Sequence, residues 1–168
     1  MVAVEVVQRT GRYAIRLRDP HAPARADFAG VPTFPFDPAW VLDGRVRQYA
    51  EPREIVVGAA RPGLLHHVQV IGEVDLAHAG HAVTLLLTGT GDRASILFSD
   101  ETPGVAPWRI LAVDLPGTLA PGGSGTVRVD FNEARNLPFA FTEHGTCPAP
   151  APGNHVPFAV PAGEKAPR

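Results

Sequence analysis

Apolar and polar residues alternate with a period of two along most of this chain, and the three-to-four spacing of an amphipathic helix hardly occurs. Residues 2–8 and 12–18 read as a hairpin about Thr10-Gly11, with Tyr13, Ile15 and Leu17 on one face and Arg12, Arg16 and Arg18 on the other. Residues 64–77 set Val68, Val70, Val74 and Leu76 against His67, Gln69, Glu73 and Asp75. A turn at His78-Ala79-Gly80 then leads into a second alternating run over 81–88. Further strands are predicted at 41–49, 53–58, 93–99, 108–114, 125–131 and 155–160. The one helical candidate is Pro20–Phe28, with Asp19 as its cap and Gly30 as its stop. Residues 30–40 form an extended aromatic segment whose Phe34, Phe36 and Trp40 are expected to pack on the sheet or plug one end of a barrel.

Short strands punctuated by turns predict a mainly β fold: a single antiparallel β-barrel-like (or sandwich) domain with one short helix and a long Pro-rich C-terminal loop. It is expected to span residues 1–168, with 1–9 as the first strand and 160–168 as a C-terminal tail that frays from Glu164 onward. The 18 prolines and 17 glycines sit between the apolar runs, where they break helices and mark turns.

Composition narrows the function classes. A net charge of −2 and the absence of any Lys/Arg run argue against a nucleic-acid partner. No apolar run approaches the ~20 residues of a membrane helix, and the N-terminus lacks a secretory pattern. A single cysteine excludes an internal disulfide and suits a reducing compartment, so a cytoplasmic location is expected. Oligomeric state is left open.

Several ordered segments, RDPHAPARADFAGVPTFPFDPAW, LFSDETPG, VDFNEARN and CPAPAPGNHVPFAVPAGEK, resemble a bacterial family, domain-of-unknown-function family 1684. The resemblance runs from about residue 10 to the C-terminus. It rests most on Asp130-Phe131-Asn132 with Asn136, and on Cys147-Pro148 with Asn154 and Ala162-Gly163-Glu164-Lys165. It implies a mainly β domain and supplies no activity. The chain departs from the family pattern at Pro107-Trp108-Arg109, where relatives carry a Gly-x-Gly-Arg run, and at Leu137-Pro138-Phe139-Ala140, where they carry a cysteine.

The candidate chemistry concentrates in the last quarter. Asp130 and Asn136 read ordinarily as Asx turn-makers at a strand end. Arg135 suits a bidentate anion, or an internal salt bridge to Glu133, Asp130 or Asp100. The expected function is a pocket for a small polar, anionic metabolite. Arg135, Asn132, Asn136 and Asn154 would orient the ligand, Asp100 would lie nearby, and Trp108 and Phe139 would form apolar walls. One alternative is a hydrolase or transferase using Cys147 with His144 or His155 as base and Asn154 as orienter, or a metal on His144, Cys147 and His155, which would just complete a three-ligand catalytic site. The other is a non-catalytic interaction domain in which the polar loop staples the fold. No cofactor and no resident metal are predicted.

Overall fold

The computed structural model describes residues 1–9, 11–90, 93–117 and 119–167. Two sheets are present. Strands β1 (Ala3–Arg9) and β2 (Arg12–Arg18) form the expected antiparallel hairpin pair, with Arg9 opposite Arg12 and Ala3 opposite Arg18. The turn residue Thr10 lies outside the described residues. The second sheet comprises β3 (Val41–Gly58), β4 (Leu65–His78), β5 (His81–Thr90), β6 (Arg93–Asp100), β7 (Arg109–Asp114), β8 (Ser124–Asp130) and the short β9 (His155–Val156). Its order is β7-β6-β5-β4-β3-β8, with β9 added in parallel on β6. It curls into an antiparallel half-barrel.

The alternating residues fill the inside of the curl. Val46, Val74, Leu76, Leu85, Leu87, Ile96, Phe98, Leu111, Val113, Val127 and Val129 share one core, closed at the end of β8 by Phe131 and Trp40. The β4–β5 turn is tight because Ala79 and Gly80 both take left-handed backbone angles, φ 48° and 82°. That conformation matches the twist of a two-residue hairpin.

Four expectations are revised. Segments 41–49 and 53–58 are one strand, β3, because Pro52 sits in a bulge: the pairing with β4 slips between Gln48 and Arg53 and resumes beyond the proline. The helix contracts to one turn, Pro23–Ala26, with Pro23 at its start, while Asp19 instead accepts from the His21 N–H in the preceding turn. Phe36 is 67% exposed rather than packed, although Trp40 is buried. The C-terminal tail does not fray at Glu164: Glu164, Lys165 and Ala166 donate backbone hydrogen bonds to Ala134, Pro32 and Gly104. Arg168 lies outside the described residues. Among the described residues, no helix is long and apolar enough to cross a membrane.

Candidate functional site

The polar last quarter is woven into the sheet. Where β8 ends, the Asp130 carboxylate caps a turn over Phe131–Glu133 by accepting from the Asn132 backbone N–H at 3.0 Å. The Asn132 amide then reaches the proline-rich segment: its Oδ1 accepts from the Asp37 N–H at 3.0 Å, and its Nδ2 donates to the Asp37 carbonyl at 2.9 Å. It does for Asp37 what a neighbouring strand would do. Arg135 forms a two-bond backbone bridge with Ile110 of β7. Asn136 donates from its N–H to the Glu164 carboxylate at 2.7 Å and from Nδ2 to the Lys165 carbonyl at 2.8 Å. Gly163 makes this docking possible. Its φ is 75°, and a Cβ there would run into the Ala134 and Phe131 carbonyls.

Asn154 has a related role at a split in the sheet. Strands β5 and β6 pair from Thr88↔Ser95 to Thr90↔Arg93. The same register, carried two residues further, would pair Leu86 with Leu97, but the ladder has ended at Thr88↔Ser95. Asn154, 2% exposed, fills the gap: its Oδ1 accepts from the Leu86 N–H at 2.7 Å, and its Nδ2 donates to the Leu86 and Leu97 carbonyls, each at 2.9 Å. The side-chain amide stands in for a missing peptide group, and β9 follows directly.

A second pin is Arg109, which is fully buried. Its guanidinium pairs with the Asp100 carboxylate at 2.7 Å and donates to the carbonyls of Val160, Ala162 and Glu164. Asp100 and Thr102 in turn accept from the Val160 N–H. The strand predicted over 155–160 stops at Val156: beyond it the Phe158 carbonyl still accepts from the Glu101 N–H, but the Val160 N–H and carbonyl are taken by the side chains of Asp100, Thr102 and Arg109. Asp100 therefore faces Arg109, not Arg135 or Trp108, and its carboxylate is 2% exposed.

The remaining candidates are scattered. Trp108 packs against Phe139 with ring centroids 4.2 Å apart, and its indole N–H is buried without a partner among the described residues. Cys147 is half-buried, and its carbonyl accepts from the Ala60 N–H beside the end of β3. His144 lies on the surface next to Glu143. His155 sits between the Ser99 hydroxyl at 3.0 Å and the Glu101 carboxylate at 2.9 Å, a solvent-facing trio where β9 meets β6. Among the described residues, no three His, Cys, Asp or Glu side chains converge as a metal-ligand set.

Two concave surfaces stand out. A groove of about 360 Å³ runs between the Asn132–Arg135 turn, Thr33 and Gly163-Glu164. Arg135 is exposed along it, so the structure brings Arg135 and Asn132 together and leaves Asn154 and Asp100 buried elsewhere. The second, about 580 Å³, lies at the β3 bulge and is lined by Arg47, Tyr49, Arg53, Glu73 and Ser124, among others. There Arg47 pairs with Glu73 at 2.8 Å and Asp75 at 2.6 Å, and the Tyr49 hydroxyl donates to Glu73 at 3.2 Å. The Arg53 guanidinium lies 4.4 Å from the centre of the Tyr49 ring. The Thr84 hydroxyl and then Arg47 hold the Asp75 carboxyl below its ordinary value. Burial and then the Glu73 charge push the Tyr49 phenol up, and the two carboxylates raise Arg47. Sequence reading missed this pocket. Its signal was Pro52 inside an otherwise regular strand run, flanked by Arg47 and Arg53.

The profile of a family described as protein of unknown function (DUF1684) matches residues 26–165. No curated protein matches the chain. A solved structure similar to it is the solution NMR structure of an uncharacterized protein from Haloarcula marismortui, 22% identical with a TM-score of 0.65, covering 84% of this chain and 78% of that chain. That likeness concerns the fold. By the match over residues 26–165, which takes in the interlocked segments 130–136 and 162–165, the chain belongs to the DUF1684 family.

Proposed function

We propose that the protein binds a small polar, anionic metabolite in the groove beside the Asn132–Arg135 turn, with Arg135 as the anchoring cation. One observation carries this reading. Asn132, Asn136, Asn154, Asp100 and Arg109 all hold backbone through their side chains, with Asn136 Oδ1 and Arg109 Nε left buried and without a partner among the described residues, whereas the exposed Arg135 guanidinium has no ion pair among them. A guanidinium held on a rigid turn offers a preformed fork to a carboxylate or phosphate. The backbone bridge to Ile110 and the Gly163 contact fix the turn, so little order has to be acquired on binding. The Asn132 amide positions the groove wall and is not free to hydrogen-bond the ligand fully.

The test is titration of the isotope-labelled protein with inorganic phosphate and with small di- and tricarboxylates, followed by amide shifts. Saturable shifts are expected at residues 132–136 and 163–164, and Arg135→Ala should weaken binding by about tenfold or more. Shifts confined to residues 47–53 and 122–124 would move the site to the β3 bulge and overturn the Arg135 assignment. An absence of saturable shifts would overturn the anion reading itself.

A further inference from the structure

The N-terminal hairpin carries an apolar face on which nothing packs among the described residues. Among the described residues, strands β1 and β2 pair only with each other, and their register sets Val4 opposite Leu17, Val6 opposite Ile15 and Gln8 opposite Tyr13. All five apolar members of that face are open to solvent: Val4 66%, Val6 72%, Tyr13 77%, Ile15 70% and Leu17 66% exposed. The opposite face holds Glu5, bridged to Arg16 at 3.2 Å and Arg18 at 2.9 Å. A two-stranded hairpin is marginal by itself in water, and contiguous apolar patches of several hundred Å² mark contact surfaces.

We propose that this face is a self-association surface: two copies of the chain close their hairpins face to face about a two-fold axis, forming a small two-layer β sandwich. Three observations favour a second copy as the occupant. The first is area. The five side chains expose roughly 500 Å² of apolar surface, so two faces together bury about 1,000 Å², the lower limit for a specific pair. The second is shape. An alternating hairpin is uniformly apolar across its paired rows, so the same patch serves both partners, as a two-fold interface requires.

The third is charge. Residues 3–18 carry Arg9, Arg12, Arg16 and Arg18 against Glu5, a net of +3 from four minus one. In the register, Arg12, Arg16 and Arg18 fall on the face opposite the apolar one. Face-to-face closure turns those arginines outward, with the two stacked layers between them at a spacing of about 10 Å, near one Debye length. A lipid surface fits less well, because a bilayer taking the apolar face would leave the arginines pointing away from the phosphates. The hairpin also lies outside the family match over residues 26–165.

Sedimentation equilibrium of the intact protein up to the order of 100 µM is expected to show a monomer–dimer equilibrium. Ile15→Ser and Tyr13→Ser should each raise the dimer dissociation constant about 100-fold while leaving the melting of the large sheet in place. In the unmodified protein, isotope-filtered NOEs between copies are expected among the methyls of Val6, Ile15 and Leu17, a readout that does not depend on any variant folding. A monomer at every concentration, a dimer unaffected by both substitutions, or intermolecular NOEs elsewhere would each overturn the proposal. So would a monomer that co-floats with anionic phospholipid vesicles through Ile15, which would assign the face to lipid.

Discussion

In residues 3–18, Val4, Val6, Tyr13, Ile15 and Leu17 face solvent, while in residues 130–165 the amide of Asn154 is sealed inside the sheet and those of Asn132 and Asn136 bind backbone. Between them, Arg109 is buried completely. The N-terminal stretch is apolar yet outside, and the C-terminal stretch is polar yet occupied internally. The difference teaches that side-chain polarity does not by itself distinguish a site from a staple. What distinguishes them is whether the local backbone has partners of its own. Hairpin β1–β2 satisfies its inner edges through its own ladder and needs no side chain to do so. The irregular C-terminal segment has only the two-residue β9 and isolated bridges, so asparagine amides, an aspartate and a guanidinium supply the missing donors and acceptors.

The contrast can be broken most severely at Arg109. Arg109→Leu leaves the Asp100 carboxylate and the carbonyls of Val160, Ala162 and Glu164 buried without their cation, and should cost about 3–5 kcal/mol in urea unfolding. Adding Asp100→Asn should recover only part of that, because the three carbonyls stay unpaired. Full recovery would mean that the ion pair, not the carbonyl clamp, is what matters. Asn154→Ala comes next, at about 3 kcal/mol, since it strands the Leu86 N–H and two carbonyls at the split between β5 and β6. A loss below about 1 kcal/mol would show that water replaces the amide easily and that the split is not sealed.

A smaller effect is expected with acid. The Asp75 carboxyl is held below its ordinary 3.8, first by the Thr84 hydroxyl and then by Arg47. The unfolded chain therefore takes up that proton at higher pH than the folded one. The contribution is fully present above about pH 4 and is lost as pH falls through the folded value, by less than about 1 kcal/mol because the pair is largely solvated. Thr84→Val should flatten that acid limb, measured as urea midpoint against pH; an unchanged limb would assign it to other carboxylates. Arg135→Ala should be the mildest, within about 0.5 kcal/mol of the parent in stability, because its side chain holds no backbone. A large loss of stability would place Arg135 among the staples and remove the basis for an anion site.

Much of the fold was legible because alternation is a local signal. The β4–β5 hairpin could be read from Val74 and Leu76 facing Leu85 and Val83 across His78-Ala79-Gly80, and β8 from Val127 and Val129. The merger of two predicted strands into β3 was not legible, since a bulge depends on how β4 approaches: Gly72 leaves room for the Arg47 carbonyl there. The site was legible only in part. Arg135 and Asn132 are close in sequence and share the groove, whereas Asn154 was grouped with them by residue type and lies between β5 and β6 instead. Arg109 was overlooked as a centre because nothing local to Trp108-Arg109-Ile110 reveals that the chain's end will return to cover it.

The sequence by itself determined the strands, their faces and the position of the polar segment, because pleat, turn chemistry and proline act over a few residues. Only the tertiary structure decided which polar groups remain free. That depends on where the curled sheet separates and which carbonyls the returning C-terminus leaves unpaired, and these are contacts between residues more than 50 apart, such as Arg109 with Ala162 and Asn154 with Leu86.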